Sequence, residues 1–470
     1  MDHLFIGSFL GYVAILVVLG VYFYRKQRGC HEFSLGNRST NYWVTAIATH
    51  ATDMSAWLFM GFPGVVFAKG CFATWTAIGL IIFMHLTWKF VAKRLRELTE
   101  YHGAMTLSSL FEKHYGDNSG IIKIISTLFA LFFFILYISA GIVALGRALE
   151  TVFGLSYTSG VLIGTFAVSA YTVLGGFMAI AWTDFFQGIF ILFVVLLVPL
   201  FALNHVGGWE DFVHTLEIKN VSLTLLPDCS LSNWISIICM VAGWGLGYFG
   251  QPHILVNFMG IDKSENIKKA HVLGISWQVI TLTSASFIGL VGIAFFPEGL
   301  KNNELVFISM AKVLFNPAIS GLVLCAILAA AVTTMDSQIL VSASILTEDV
   351  YKRFINKDAQ GHRLTIVARL SALLITVLSL SLAFNNSKSI FSLIQYAWNG
   401  LGSTFGPLLL MTLYSKNVTR PAAISGIVAG GTTAILWPIV NLSYSEYAII
   451  PGFLISSTII FVVSRLTRRE

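Results

Sequence analysis

The sequence predicts an all-α polytopic membrane protein of about thirteen transmembrane helices, and three observations carry that prediction. Of the 470 residues, 56% are hydrophobic and only 11% are charged, against roughly a quarter charged in a soluble domain. The mean hydropathy is +0.79. Apolar runs near the ~20 residues that span hydrocarbon recur along nearly the whole length, which leaves no room for a soluble appendage, so 1–470 reads as a single transmembrane domain.

The first run lies at about 4–24. Met1, Asp2 and His3 supply no basic n-region and the apolar stretch is too long for a signal peptide, so it is expected to remain as a helix. Runs at about 41–67, 71–92, 121–149, 156–174 and 176–202 follow. After a long connection come 232–259, 270–296, 318–346, 364–384 and 389–413, and the pair 421–440 and 446–466 ends the series.

Lys and Arg set the orientation, because short cytoplasmic loops collect them. Arg25, Lys26, Arg28 and Arg38 follow the first run, and Lys93, Arg94 and Arg96 follow the third. Lys263, Lys268 and Lys269, then Lys352, Arg353 and Lys357, then Lys416 and Arg420, follow the seventh, ninth and eleventh; Arg465, Arg468 and Arg469 follow the last. The opposite connections hold only scattered cations such as Lys69, Lys219, Lys301 and Lys388. The N-terminus is therefore expected outside and the C-terminus in the cytoplasm. The net charge of +6 marks loops beside anionic lipid rather than a nucleic-acid surface.

Cys30, Cys71, Cys229, Cys239 and Cys325 show neither paired nor metal-ligand spacing, so no disulfide framework or zinc site is expected. The connection 203–231 holds Glu210, Asp211, His214 and Glu217, which a solvated loop explains better than a metal site.

Asp53 stands inside the second run, with no Lys or Arg for more than ten residues on either side. A charged Asp at a helix centre costs upwards of ~2.5 kcal/mol, so it should face a cavity, a partner or a cation. Asp53 and Trp57 are four residues apart and share a helix face. Gly61, Pro63 and Gly64 follow, which weakens a regular helix and predicts exposed carbonyls around 51–56. A broken helix with a carboxylate and a Trp at mid-depth is the usual form of a transporter site; the plain alternative is an Asp bonded to a neighbouring helix.

The seventh run is interrupted in turn, by GWGLGYFGQPH at 243–253. Four glycines and Pro252 loosen it, while Trp244, Tyr248 and Pro252 stay near one face. Close helix packing is the competing explanation of the glycines. Breaks five runs apart suggest two inverted five-helix repeats, 41–202 and 232–413, with the 4–24 helix before them and 421–466 after, and with the site where the repeats meet.

The ninth run carries AILAAAVTTMDSQ, 326–338. At about 100° per residue, Ala330, Thr333, Thr334 and Ser337 fall within a quarter-circle and Asp336 lies beside Thr333. Such hydroxyls, joined to carbonyls of an unwound partner, replace the water shell of a small alkali cation. Taken singly, each Ser or Thr is as well explained by a bond to its own backbone.

ATDMSAWLFMGFPG, LGNRS, AWTDFFQ, GWGLGYFGQPHI, ILAAAVTTMDSQILV, TEDVYK, and YAW followed by FGP together resemble, in order and spacing over about 33–454, the sodium/solute symporter family and its proline-carrying bacterial members in particular. The resemblance implies a leucine-transporter-like five-plus-five core in the bacterial cytoplasmic (inner) membrane and sodium-coupled import of L-proline or a similar small zwitterion. It implies a sodium site from the carbonyls of Ala51, Met54 and Ala330 with the hydroxyls of Thr333 and Thr334. Proline would meet Trp57, Tyr137, Trp244, Tyr248 and Pro252. Asp53, Ser55, Asp184 and Arg38 would serve coupling. No Lys or Arg occurs within 39–68 or 220–262, so a bound carboxylate would rely on helix-end amides, hydroxyls or sodium.

Four positions depart from that pattern: Ala56 and His50 stand in place of Gly, Asn399 in place of a small residue, and Asp336 in place of a hydroxyl residue. Asp336 and Ser337 are therefore added to the coupling residues, with Asp336 and Asp184 expected to bind a second cation or share a proton; pairing of Asp336 with a cytoplasmic Lys or Arg is the alternative. A channel would need a symmetric filter and an enzyme a nucleophile or metal motif, such as His-Glu-x-x-His or Gly-x-Ser-x-Gly; the sequence has none of these. No organic cofactor and no nucleic-acid or obligate protein partner is expected.

Overall fold

A computed structural model describes residues 30–384, 389–440 and 447–468, with isolated positions between 7 and 22. The predicted helix at 4–24 lies mostly outside the described residues, as do Arg25, Lys26, Arg28, Lys388 and Arg469. The described chain is helical, and its β-pairing is one isolated bridge between Thr40 and Ile261.

The main helices are α1 (Tyr42–Met54), α2 (Gly61–Lys69), α3 (Trp75–Leu86), α4 (Ile121–Phe153), α5 (Tyr157–His205), α6 (Leu231–Gly245), α7 (Pro252–Gly260), α8 (Ile267–Phe295), α9 (Pro317–Ser344), α10 (His362–Ala383), α11 (Ile390–Tyr414), α12 (Arg420–Val440) and α13 (Ile449–Thr467). Among the described residues, nine helical stretches are long and apolar enough to cross a membrane, and the chain is a multi-pass membrane protein.

The predicted run 41–67 is three pieces. Asn41 caps α1, its Oδ1 accepting the amide of Val44 at 2.9 Å. The helix stops at Ser55, whose φ of 50° and ψ of −176° turn the chain, and whose Oγ accepts the Trp57 amide at 3.1 Å to start the short turn Ala56–Leu58. The run 232–259 divides in the same way into α6, a tight 3₁₀ segment Leu246–Gly250, and α7 with Pro252 at its first turn. Packing also fixes these glycines: a Cβ on Gly250 would sit 2.7 Å from both Gly406 N and Leu401 O of α11. Loosening and close approach thus act at the same place.

A straight α5 of 49 residues would be ~74 Å long, more than twice the hydrocarbon thickness. It breaks at Gly176 (φ 63°, ψ −171°), at the boundary between the predicted runs 156–174 and 176–202. Two expectations need correction. The run 71–92 continues to Tyr101, because Lys93–Tyr101 is an amphipathic helix that buries Leu95 and pairs Arg96 with Glu100 at 2.7 Å. The connection 203–231 is no plain loop: Trp209–Ile218 is a helix docked by Phe212 and Leu216, with Glu210, Asp211, His214 and Glu217 exposed to solvent.

The two broken helices are tied end to end. The last carbonyls of α7 have no partner within the helix, and side chains near the start of α1 supply one. Thr40 Oγ1 donates to Gly260 O at 2.7 Å and Arg38 Nη1 to Met259 O at 2.6 Å, while Arg96 Nε, from the helix Lys93–Tyr101, donates to Ile261 O just past α7 at 2.8 Å. At the same end a buried ion cluster joins the segments, with Lys123 Nζ 2.6 Å from Glu112 and 3.6 Å from Asp349, and Arg353 Nε 3.0 Å from Glu112.

Candidate ion and substrate site

The break after α1 turns its last carbonyls towards α9. Thr333 Oγ1 lies 2.9 Å from Ala51 O and 3.0 Å from Ala330 O. Thr334 Oγ1 donates to Thr52 O at 2.6 Å and lies 3.4 Å from Ala330 O. A hydroxyl gives up one proton in such a bond and keeps lone pairs. Five uncharged oxygens therefore converge from two helices, a donor set suited to a small alkali cation. Four of the five predicted ligands, from Ala51, Ala330, Thr333 and Thr334, meet here, and the carbonyl of Thr52 joins them by accepting from the Thr334 hydroxyl.

Thr52 also faces the other way. Its Oγ1 donates to Asp184 Oδ2 of α5 at 2.9 Å and lies 3.3 Å from Ser337 Oγ. Asp336, fully buried, is close enough to Asp184 for their charges to oppose one another. The predicted residues Asp184, Asp336 and Ser337 are thus gathered beside the oxygen cluster.

Asp53 is bonded to the second broken helix. Tyr248 Oη donates to Asp53 Oδ2 at 2.5 Å, and Gln278 Nε2 of α8 donates to Tyr248 Oη at 2.9 Å. Aromatic rings gather on the same side. Trp57 lies 5.2 Å from Trp244 and stacks on Phe62 at 4.7 Å, and Trp398 meets Tyr248 edge-on at 5.2 Å. Trp398 is itself fixed, its Nε1 donating to Trp244 O at 2.8 Å while Gln251 Nε2 donates to Trp398 O at 3.0 Å. Tyr137, on α4, lies beside Ser55 at the first break.

Access is unequal at the two ends. A cavity of about 670 Å³, lined by Lys69, Phe391, Tyr396 and Asn399 among others, reaches Trp244. At the opposite end the space under Pro252, between Ser34, Thr106, Ser108 and Ser344, is about 20 Å³. Pro252 thus lines the narrow end, while Trp244 lines the wide one. Arg38 lies outside the oxygen cluster, where its guanidinium bonds Met259 O, Ala104 O (3.0 Å) and Thr99 Oγ1 (3.2 Å); burial and the neighbouring Arg96 lower it to about 10.

The sequence model of the sodium:solute symporter family matches residues 33–430. The chain belongs to this family. Sodium/proline symporters of Staphylococcus aureus strains JH9 and NCTC 8325 are each 40% identical to it over 473 aligned positions, covering 97% of this symporter and 92% of theirs. Its fold matches that of a Na+-coupled sialic acid symporter in a substrate-bound outward-open state (TM-score 0.86, 16% identity, 99% of this chain and 98% of that one). It also matches a nucleobase-cation-symport-1 family transporter in a closed conformation (TM-score 0.55, 14% identity, 92% and 94%).

Three side chains of this symporter's site escaped sequence reasoning. Thr52 sits between two residues singled out there, and only the fold shows that its carbonyl and hydroxyl serve different neighbours. Gln278 is a polar residue within the apolar run 270–296, and that is the signal in the sequence that points to it. His253 is fully buried against Tyr137 at 5.7 Å, with neither ring nitrogen partnered among the described residues.

Proposed function

We propose that the chain is a sodium-coupled secondary active symporter that imports L-proline by alternating access. The observation that carries this reading is the 2.5 Å hydrogen bond from Tyr248 to Asp53. It joins the helix bearing the cation-type oxygens to the helix bearing the aromatic cage, so filling either one bears on the other. The 40% identity to sodium/proline symporters supports the choice of solute. Another small amino acid or carboxylate, or proton coupling, is the alternative within the same family.

On this reading sodium is held by the carbonyls of Ala51, Met54 and Ala330 and the hydroxyls of Thr333 and Thr334, with Thr52 as a further oxygen. Trp57, Tyr137, Trp244, Tyr248 and Pro252 surround a compact apolar ring, and a cationic imino nitrogen sits against aromatic faces. Asp53, Ser55, Asp184, Asp336, Ser337 and Arg38 couple the two, with Asp184 and Asp336 holding a second cation or a shared proton.

The helices form two inverted repeats, 41–202 and 232–413, within a thirteen-helix domain of the bacterial cytoplasmic membrane. The N-terminus lies outside and the C-terminus inside. The clustering of Arg38, Arg96, Arg353 and Arg420 at one end supports that orientation. The wide cavity then faces outward and the narrow one inward.

Uptake of labelled proline into proteoliposomes, with sodium and proton gradients imposed separately, tests the proposal. Accumulation driven by sodium is expected. Active vesicles that move another amino acid but not proline under either gradient would refute the substrate.

A further inference from the structure

Tyr248 Oη carries one proton and stands between two neighbours that want different things from it. Asp53 is buried and, as a carboxylate, only accepts; Gln278 offers an amide that donates through one atom and accepts through the other. With Asp53 as the carboxylate, the distances, 2.5 Å to Asp53 Oδ2 and 2.9 Å to Gln278 Nε2, fit one arrangement: Gln278 donates to the phenol oxygen and the phenol donates to the carboxylate. Turning the amide over would give Gln278 Oε1 the phenol proton and strip a buried carboxylate of its donor, the costlier loss of the two. Gln278 Oε1 accordingly has no partner among the described residues, although Gln278 is fully buried.

The element that carries Gln278 is a firm support. One turn earlier, Gly274 lets the ring of His50 on α1 come so close that a Cβ there would lie 2.5 Å from its Nε2. On the other side Trp277 Nε1 donates to Gly188 O of α5 at 3.1 Å. The Tyr248 ring is held edge-on by Trp398, so the torsion of its hydroxyl is the freedom left, and Gln278 removes it.

We propose that Gln278 is a positioning residue for ion–solute coupling: by filling the acceptor side of the Tyr248 oxygen it holds the hydroxyl on Asp53 and so links the cage to the ion-binding helix. The inference rests on the sodium/proline reading above. Gln278 touches neither ion nor solute in this role; it sets the direction of a hydrogen bond between groups that do.

The quantity to measure is the linkage ratio, the proline dissociation constant of the purified full chain at low sodium divided by that at saturating sodium. Linkage is reciprocal, so the same ratio describes the effect of proline on sodium. Gln278→Met keeps the side-chain volume and removes the donor; Gln278→Glu keeps the shape and replaces the donor with an acceptor. Both should lower the linkage ratio by about tenfold, the worth of one hydrogen bond in a buried network. In a Tyr248→Phe background, where the hydroxyl is gone, Gln278→Met should change the ratio by less than about twofold.

Wild-type linkage retained in both Gln278 variants, or a loss that adds undiminished to that of Tyr248→Phe, overturns the role of Gln278 and leaves the transport reading intact. A wild-type protein whose proline affinity ignores sodium overturns that reading and this inference with it. Size-exclusion profiles and thermal midpoints distinguish misfolding from lost linkage, and the Glu variant serves should Met not fold.

Discussion

Thr334→Ala removes one oxygen from the cluster between α1 and α9 and keeps helix propensity. Thr334 Oγ1 donates to Thr52 O at 2.6 Å, and the pair hold the end of α1 against α9. Two effects follow and they differ in size. The neutral hydrogen bond contributes about 1 kcal/mol to stability, a loss a large helical bundle tolerates. An oxygen facing a cation is a charge–dipole contact worth about 1.5–3 kcal/mol, which corresponds to a rise of roughly 10- to 150-fold in the sodium concentration for half-maximal uptake. Because the aromatic cage is untouched, the apparent KM for proline at saturating sodium should move by no more than about threefold. Initial rates of labelled proline uptake across a sodium series, with choline holding ionic strength constant, give both numbers. Thr334→Ser, which restores the oxygen, should recover most of the sodium affinity. A half-saturating sodium concentration unchanged in the Ala variant, or raised equally in the Ser variant, would refute the assignment of this oxygen to the ion.

Asp336→Ser removes one of two opposed buried carboxylates; the sodium Hill coefficient or the pH profile of uptake is expected to change, and constancy of both, with the same charge moved per proline, would strip Asp336 of any coupling role. Lys123→Met leaves Asp349 buried opposite Glu112 without the cation between them, which costs about 3–5 kcal/mol; a markedly lower thermal midpoint of the purified protein is expected, and an unchanged one would show that the cluster is dispensable. Gly250→Ala forces a methyl to 2.7 Å from the backbone of α11, an overpacking of about 1–3 kcal/mol; a lower thermal midpoint is expected, and normal stability with normal transport would show that the segment Leu246–Gly250 and α11 can move apart freely.

Much of the fold was legible because a membrane punishes irregularity. Backbone left unbonded in hydrocarbon is costly, so a broken helix needs local cause: Gly61, Pro63 and Gly64 pointed to a break near 51–56, although the chain turns at Ser55 and those three lie within α2, while the glycines before Pro252 mark the second break in the sequence itself. The hydroxyl pair Thr333–Thr334 was legible for the same reason, as polar groups recurring on one face of an apolar helix. The helix Trp209–Ile218 was not, since it is short and buries only Phe212 and Leu216 beside exposed acids. Nor was the extension of the third run to Tyr101, where amphipathicity replaces hydropathy.

The sequence by itself determined that this is a multi-pass helical protein, where two of its helices break, and which oxygens and rings stand at those breaks. All of these depend on neighbours a few residues apart. Only the tertiary structure decided who meets whom: that the Thr52 carbonyl answers Thr334, that Asp53 is bonded by Tyr248 some 195 positions away, and that Gln278 stands behind that bond. Asp336 beside Asp184 is another such meeting. Hydrogen bonds between distant segments leave no periodicity in the chain, because their geometry is set by how whole helices pack and not by the spacing of residues along any one of them.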